Sequence, residues 1–557
     1  MNRQTLRAHL LGLVAMITFS VAQPTLAATT SSPLFPALSF VAGLLNQPVF
    51  PSSDAYTIRK DLRITAADGV QLAGNVFIPN GNGGPYPAVI FINSWGLNQY
   101  EYLTEAAQFA SQGYVVLSYT TRGFGQSGGL IDTAGPKDIS DLSTAIDWLI
   151  ANTPTDPDRI GAAGISYGSG ISLIGAAKDP RIHAVAALSS WGSLKQSLYG
   201  EQTPRMVWGD LLVVASQLLG HPDPIIAQYY AQLLSNDDTP DIDSWAAERS
   251  PISYVNRLNA NGTAVYLSKN WGDNLFQPNS ILDMYRQLTG PKHIDLQPGT
   301  HASTEIFGML GGGDTHIWND VHRWFDSHLK GMTTAIDTAP PVQMKVPFTN
   351  NGYEGFSAFP VPQAHTDQWY LHPRGLFHPG YLKDTPWQDW FPVTNSIHAG
   401  MDTVASTGIP LGSQIFEEVN LPTVASMPLI DPSHGIWFET NTLSDGLKIR
   451  GTPSVTLQVT PQSTKAQLVA YLYDMNALGI GTLITHAPVT LLNQQPGKAT
   501  TVTLPLVTTA YNLPAGDHLV LAIDTQDLLY KQPTSDAYKV DFPFTNSRQS
   551  VLKVPVL

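Results

Sequence analysis

Between Asp54 and about Lys330, short continuous apolar runs alternate with stretches of helical spacing, and this rhythm restricts the fold more than any other feature of the chain. Ala88 to Ile92, Val115 to Tyr119, Ile160 to Gly164, Val185 to Leu188, Ala264 to Leu267 and His293 to Leu296 have the length and apolar continuity of strands covered on both faces. Between them Leu103, Ala106, Ala107 and Ala110, then Ile139, Leu142, Ile146, Leu149 and Ile150, recur at three- and four-residue steps and read as amphipathic helices. Strands separated by helices imply βαβ units and a mainly parallel sheet. Ahead of them Asp61 to Pro79 reads as a hairpin turning at Ala67-Asp68-Gly69. The stretch from about 194 to 258 breaks the rhythm with helix-like segments and the acidic run Asn236-Asp237-Asp238, as a cap inserted over the sheet would.

After about Gly331 the character changes. Thr, Val, Pro and Gly become frequent and alternating runs replace helical spacing, as at Thr452 to Val459, Gln467 to Tyr473, Thr500 to Leu506 and His518 to Asp524. This predicts an all-β second domain, a sandwich or jelly roll. The expected division is an α/β domain over 54–335 and a β domain over 336–557.

The N-terminus reads as an export leader. Arg3 and Arg7 precede an apolar run from Leu10 to Ala22, and Thr25-Leu26-Ala27 places small residues where a signal peptidase cleaves. Residues 1–27 are thus expected to be removed, 28–53 to form a lead-in, and the protein to be periplasmic or secreted, with no membrane insertion after cleavage. A formal charge of −14 with no basic stripe argues against nucleic acid as a partner. The absence of cysteine excludes disulfides, thiolate metal sites and a cysteine nucleophile.

Two stretches match G-x-S-x-G, Gly125 to Gly129 and Gly164 to Gly168. A nucleophile elbow needs a strand entering and a helix leaving at once. Ser166 has both; Ser127 is followed by Gly128-Gly129 and reads as a turn residue. A serine hydroxyl needs a general base, and the base an orienting carboxylate. Such an elbow is that of an α/β-hydrolase fold, in which they follow in the order Ser, acid, His at later strand ends. Asp273 lies just past the strand Ala264 to Leu267, and His301 just past His293 to Leu296, in a glycine-containing loop. The rivals His293, His316, His322, Asp283 and Asp295 fall within strands or helices. The backbone N–H of Tyr167 is the first oxyanion donor, and the loop Asn93-Ser94-Trp95-Gly96 should supply the second.

Stretches from both domains together resemble the cocaine esterase and X-prolyl dipeptidyl-peptidase family of serine hydrolases. Thr121 to Gly129 is similar to its R-G-x-G-x-S-x-G stretch, and Gly164-Ile165-Ser166-Tyr167 to its G-x-S-Y nucleophile motif. Asp138 to Asp141, leading to Trp148, is similar to its D-x-x-D helix. Trp369 to Pro373 and Gly451-Thr452-Pro453 resemble the entry to its β domain. The resemblance implies a catalytic domain with a helical cap, a C-terminal jelly roll, and Ser166, Asp273 and His301 as the triad. Where the family often places a tyrosine hydroxyl as second oxyanion donor this chain has Trp95, whose indole N–H is the expected substitute. Where the family often has a tryptophan two residues before the histidine, this chain has Gly299.

The expected function is hydrolysis of an ester or amide through an acyl-enzyme, needing neither metal nor organic cofactor. Dipeptidyl-peptidase action is the alternative; Glu201, Asp210 and the acids from Asp237 to Asp243 could receive a substrate's α-amine. A third reading is a catalytically silent carbohydrate- or polymer-binding protein using Trp387, Trp390 and Phe391, although these are expected to pack the β domain against the hydrolase domain.

Overall fold

The apolar runs become the middle of a ten-stranded sheet. The structure, a computed structural model, describes residues 35–81, 83–311, 315–410, 412–419 and 421–557. The expected leader over 1–27 lies outside the described residues. The described part of the lead-in forms a helix, α1 (Phe35–Leu44), and β1 (Tyr56–Thr65) and β2 (Gln71–Pro79) form the expected hairpin. Then come β3 (Tyr86–Ile92), α2 (Leu103–Ser111), β4 (Val115–Tyr119), α3 (Pro136–Asn152), β5 (Thr155–Ile165), α4 (Tyr167–Lys178) and β6 (Ile182–Leu188). Five helices follow without a strand: α5 (Leu194–Tyr199), α6 (Met206–Leu219), α7 (Pro224–Leu234), α8 (Pro240–Glu248) and α9 (Val255–Asn261). The sheet resumes with β7 (Ala264–Asn270), α10 (Pro278–Gln287), β8 (Lys292–Gln297), α11 (Ser303–Met309) and α12 (His316–Lys330).

The strand order is β1-β2-β4-β3-β5-β6-β7-β8, continued by β9 (Val342–Met344) and β10 (Glu354–Phe356). From β3 to β9 neighbouring strands are parallel. Alternate residues of one strand serve opposite faces: Ile90 and Leu117 join one apolar cluster, Val89, Phe91 and Val116 the other. The sheet therefore runs past the division expected at 335, because β9 pairs with β8 in parallel register. A three-residue strand is too short to show a period in sequence.

The remaining strands form an all-β domain. Its strand Ala466–Met475 is buried at every position, with Leu468, Ala470 and Leu472 in one cluster and Val469, Tyr471 and Tyr473 in another. The polar member Gln467 is kept there by hydrogen bonds, its N–H to Tyr538 Oη at 2.9 Å and its amide to the Lys531 carbonyl at 3.0 Å. Trp387 packs against this domain's own core, while Trp390 and Phe391 are exposed, so none of the three plays the interdomain role expected of it. The β domain instead grips the cap: Thr203 Oγ1 meets Thr490 Oγ1 at 2.9 Å, and Lys531 N–H donates to the Pro204 carbonyl at 3.0 Å. Among the described residues no helix is long and apolar enough to cross a membrane.

Candidate active site

The turn between β5 and α4 is forced by crowding. A Cβ on Gly164 would lie 2.7 Å from the Ile92 carbonyl oxygen, and one on Gly168 only 2.0 Å from that same atom. Strand and helix thus cross β3 at backbone contact, which glycine alone allows. Between them Ser166 holds φ 54° and ψ −114°, a strained conformation for a side-chain-bearing residue. The strain is anchored by Ser166 N–H on the Leu188 carbonyl at 2.8 Å.

Three side chains from different loops converge there. His301 Nδ1 donates to Asp273 Oδ2 at 2.8 Å, leaving Nε2 to accept from Ser166 Oγ at 2.7 Å. Trp208 from the cap and Phe276 stand edge-on to the imidazole, with ring centroids 5.7 and 5.0 Å away. Asp273 is fully buried, and Oδ1 accepts from the N–H groups of Leu275 and Phe276 at 3.0 and 2.8 Å. Burial alone would raise its carboxyl; His301 and Lys269 outweigh that and hold it at about 2.

Lys269 is the residue that sequence reasoning missed. It lies at the end of β7, as buried as Asp273, and its ammonium donates to Oδ2 at 2.5 Å and to the Ser190 carbonyl at 3.0 Å. Cation and imidazole therefore share one carboxylate oxygen. Burial pulls the Lys269 ammonium down from its ordinary value while Asp273 pulls it up. Glu305 was also missed. Buried in α11, it accepts from Ser268 Oγ at 2.6 Å and from the Asn270 amide at 2.8 Å. That amide also donates to the Thr300 carbonyl at 2.7 Å, bracing the loop that carries His301.

The second oxyanion donor needs correction. The Trp95 indole N–H is spent on the Leu212 carbonyl at 3.0 Å, so it ties the β3 loop to the cap helix α6. The backbone N–H groups of Trp95 and Tyr167 find no acceptor among the described residues. The loop is held from below by buried Glu101, which accepts from Ser94 N–H at 2.7 Å and Ser94 Oγ at 2.6 Å.

The family-like motifs frame this centre. Arg122 Nε and Nη2 donate to the two oxygens of Asp141 at 2.8 and 2.6 Å. Tyr167 Oη donates to Asp138 Oδ2 at 2.5 Å; burial first, then neighbouring Asp132, pushes Asp138 up to about 8. Ser127 Oγ donates to the Thr120 carbonyl at 2.7 Å and accepts from Ala73 N–H, a structural role. The rival histidines are engaged elsewhere, His293 with Asp295 and His322 with Glu105.

Over Ser166 lies a cavity of about 120 Å³. Trp95, Trp191, Leu198, Leu212, Tyr229 and Trp245 give it an aromatic and aliphatic wall. Lys195 and Arg205 are its charged members, and among the described residues no carboxylate lines it. Glu201 and Asp210 lie outside it, Asp210 accepting from Tyr230 Oη at 2.8 Å. Lys195 is neutralised by Asp238 at 2.6 Å and by Asp243.

Residues 68–303 match the sequence profile of the X-Pro dipeptidyl-peptidase (S15) family, and residues 334–552 that of the X-Pro dipeptidyl-peptidase C-terminal non-catalytic domain. The two matches together take in most of the chain. It is 22% identical to cocaine esterase of Rhodococcus sp. over 475 residues, 75% of this chain and 80% of that one. It is 21% identical to a provisionally named serine esterase of Mycobacterium bovis over 515 residues, 75% of this chain and 79% of that one. Among solved structures it is similar to an aminopeptidase from a marine-sediment Thaumarchaeota archaeon, with TM-score 0.73 and 15% identity over 92% of this chain and 98% of that one; this likeness concerns the fold alone.

Proposed function

Because the chain is a serine hydrolase of the cocaine esterase and X-Pro dipeptidyl-peptidase family, we propose that it is an esterase or acylase for compact, uncharged, apolar acyl groups. The observation that carries this reading is the wall of the cavity over Ser166, which is aromatic and aliphatic and offers no carboxylate. A dipeptidyl-peptidase must hold a free α-ammonium group, and burying that charge without an anionic partner costs several kcal/mol. The buried guanidinium of Arg205, also in the lining, disfavours it further.

In the proposed cycle His301 Nε2 takes the proton of Ser166 Oγ as the oxygen attacks the acyl carbon. Asp273 fixes the imidazole by its Nδ1–H and stabilises the imidazolium that forms. The N–H groups of Tyr167 and Trp95 are suited to receive the oxyanion, both being unspent in the resting protein. His301 then protonates the departing alkoxide or amine. Water, deprotonated by the same nitrogen, cleaves the acyl-Ser166 ester and restores the hydroxyl. The Ser166 strain keeps Oγ in position, so no rearrangement precedes attack.

The test is a comparison of p-nitrophenyl butyrate with Ala-Pro-p-nitroanilide on the full chain. The ester should be turned over with a kcat/KM at least about 100-fold higher, and Ser166→Ala should abolish at least about three orders of magnitude of it. Preference for the dipeptide anilide would overturn the substrate reading; undiminished ester turnover in the variant would overturn the mechanism.

A further inference from the structure

Away from the triad, between β8 and α12, four metal-binding side chains face one another. His293 and Asp295 are two apart on a strand and so share a face; His316 and Asp320 are four apart on a helix and so share another. The two faces are packed together. His293 Nε2 lies 3.1 Å from Asp295 Oδ1, and His316 Nε2 lies 3.5 Å from Asp295 Oδ2 and 3.4 Å from Asp320 Oδ2. Donor atoms of His293, Asp295 and Asp320 all fall within 4.8 Å of one another.

We propose that these four residues form a binding site for one divalent transition-metal ion, with Zn²⁺ as the best match. Two imidazoles and two carboxylates are a borderline donor set, which suits Zn²⁺ better than the all-oxygen shell that Ca²⁺ or Mg²⁺ prefers. A tetrahedral ion with bonds of about 2.1 Å separates its ligand atoms by about 3.4 Å. Three of the separations, His293 to Asp295, His316 to Asp295 and His316 to Asp320, lie near that edge. The surrounding groups orient the ligands as outer partners do at known metal centres. Tyr266 Oη donates to Asp295 Oδ2 at 2.6 Å, and Arg323 Nη1 donates to Asp320 Oδ1, the oxygen turned away from His316, at 2.6 Å. The His316 ring is stacked on Tyr353 with centroids 3.9 Å apart. The Gln343 amide nitrogen is 3.2 Å from His293 Nε2 and must turn aside when the ion binds, which brings its oxygen towards the metal. His293, Asp295 and Asp320 are buried, whereas His316 is 23% exposed and gives the ion its entry.

The role is structural. The acyl chemistry uses none of these residues, but β8 leads into the loop that bears His301. An ion clamping α12 onto β8 would therefore fasten that strand from behind.

The experiment uses the untagged full chain, stripped with chelator and then titrated with ZnCl₂ under calorimetry, with metal content read by plasma mass spectrometry after gel filtration. One Zn²⁺ per chain is expected, with Tm raised by about 5 °C at a hundredfold excess over Kd. His316→Ala and Asp320→Asn should each weaken binding by about tenfold or more while p-nitrophenyl butyrate turnover stays at the wild-type level. Wild-type protein that retains no Zn²⁺ and shows no binding heat overturns the proposal, a result independent of whether the variants fold. So does undiminished binding in both variants, which would put the ion elsewhere.

Discussion

Replacing Lys269 by Met removes a cation from beside the triad while keeping most of its volume. Lys269 and His301 hydrogen-bond to the same oxygen, Asp273 Oδ2, at 2.5 and 2.8 Å. The ammonium is one of the two cations that hold the Asp273 carboxyl at about 2 against its burial. Breaking a buried ion pair by removing one partner costs about 3–5 kcal/mol. At 1.36 kcal/mol per unit this raises the pH at which Asp273 takes up a proton by about two to four units. A protonated Asp273 no longer stabilises the imidazolium. The acid limb of kcat/KM for p-nitrophenyl butyrate must therefore move to higher pH, by one to two units once water relaxation is allowed for. Activity at pH 8 should suffer far less than activity at pH 6. Lys269→Gln, which keeps a donor but no charge, should shift the limb the same way. A limb that stays within about 0.3 units of wild type, or that moves towards acid, would refute the claim that the buried cation sets the working range.

Other outcomes follow from the same geometry. Gly168→Ala drives a Cβ into the Ile92 carbonyl, which cannot rotate away, so Tm should fall by several degrees and ester turnover by about 100-fold or more. Arg122→Ala leaves Asp141 buried without its two charge-assisted bonds and should cost about 3–5 kcal/mol in denaturant unfolding. Asp138 sits at about 8 when folded and near 3.9 when unfolded, so the unfolded chain releases the proton first. Its protonated form contributes stability below about pH 4, and that contribution drains away as pH rises to about 8. Asp138→Asn should accordingly raise Tm at pH 8 relative to wild type and leave the difference small at pH 4. Asp273 has the opposite sign: held at about 2, its contribution is present above about pH 4 and is lost between about pH 4 and 2, so Asp273→Asn should flatten acid unfolding in that window.

The elbow was legible in sequence because its signature is local. Gly164 and Gly168 flank Ser166 within five residues, where an apolar run gives way to helical spacing, although the atom that crowds both glycines is the distant Ile92 carbonyl oxygen. The order Ser166, Asp273, His301 was legible because each follows a strand recognisable by its apolar continuity. Lys269 was not: a lysine inside Leu-Ser-Lys-Asn reads as an exposed position, and only the fold reveals that Asp273 returns to meet it. The Trp95 indole was misassigned because its direction is set by the cap carbonyl of Leu212, 117 residues away in the chain. Glu305 lies one helical turn beyond His301, a spacing that carries no signal by itself. In the β domain, the alternation read at Gln467 to Tyr473 concealed a strand enclosed on both sides, because Gln467 is retained by partners far along the chain.

The grip of the C-terminal domain on the cap, through Thr490 on Thr203 and Lys531 on Pro204, bears on how substrate reaches Ser166. Those two anchors lie immediately before α6, the helix that carries Trp208 against His301 and receives the Trp95 indole. Swinging this roof aside would sever bonds on both sides at once. A roof tethered on both sides resists being lifted, so the far domain bears on the nucleophile's surroundings without touching it.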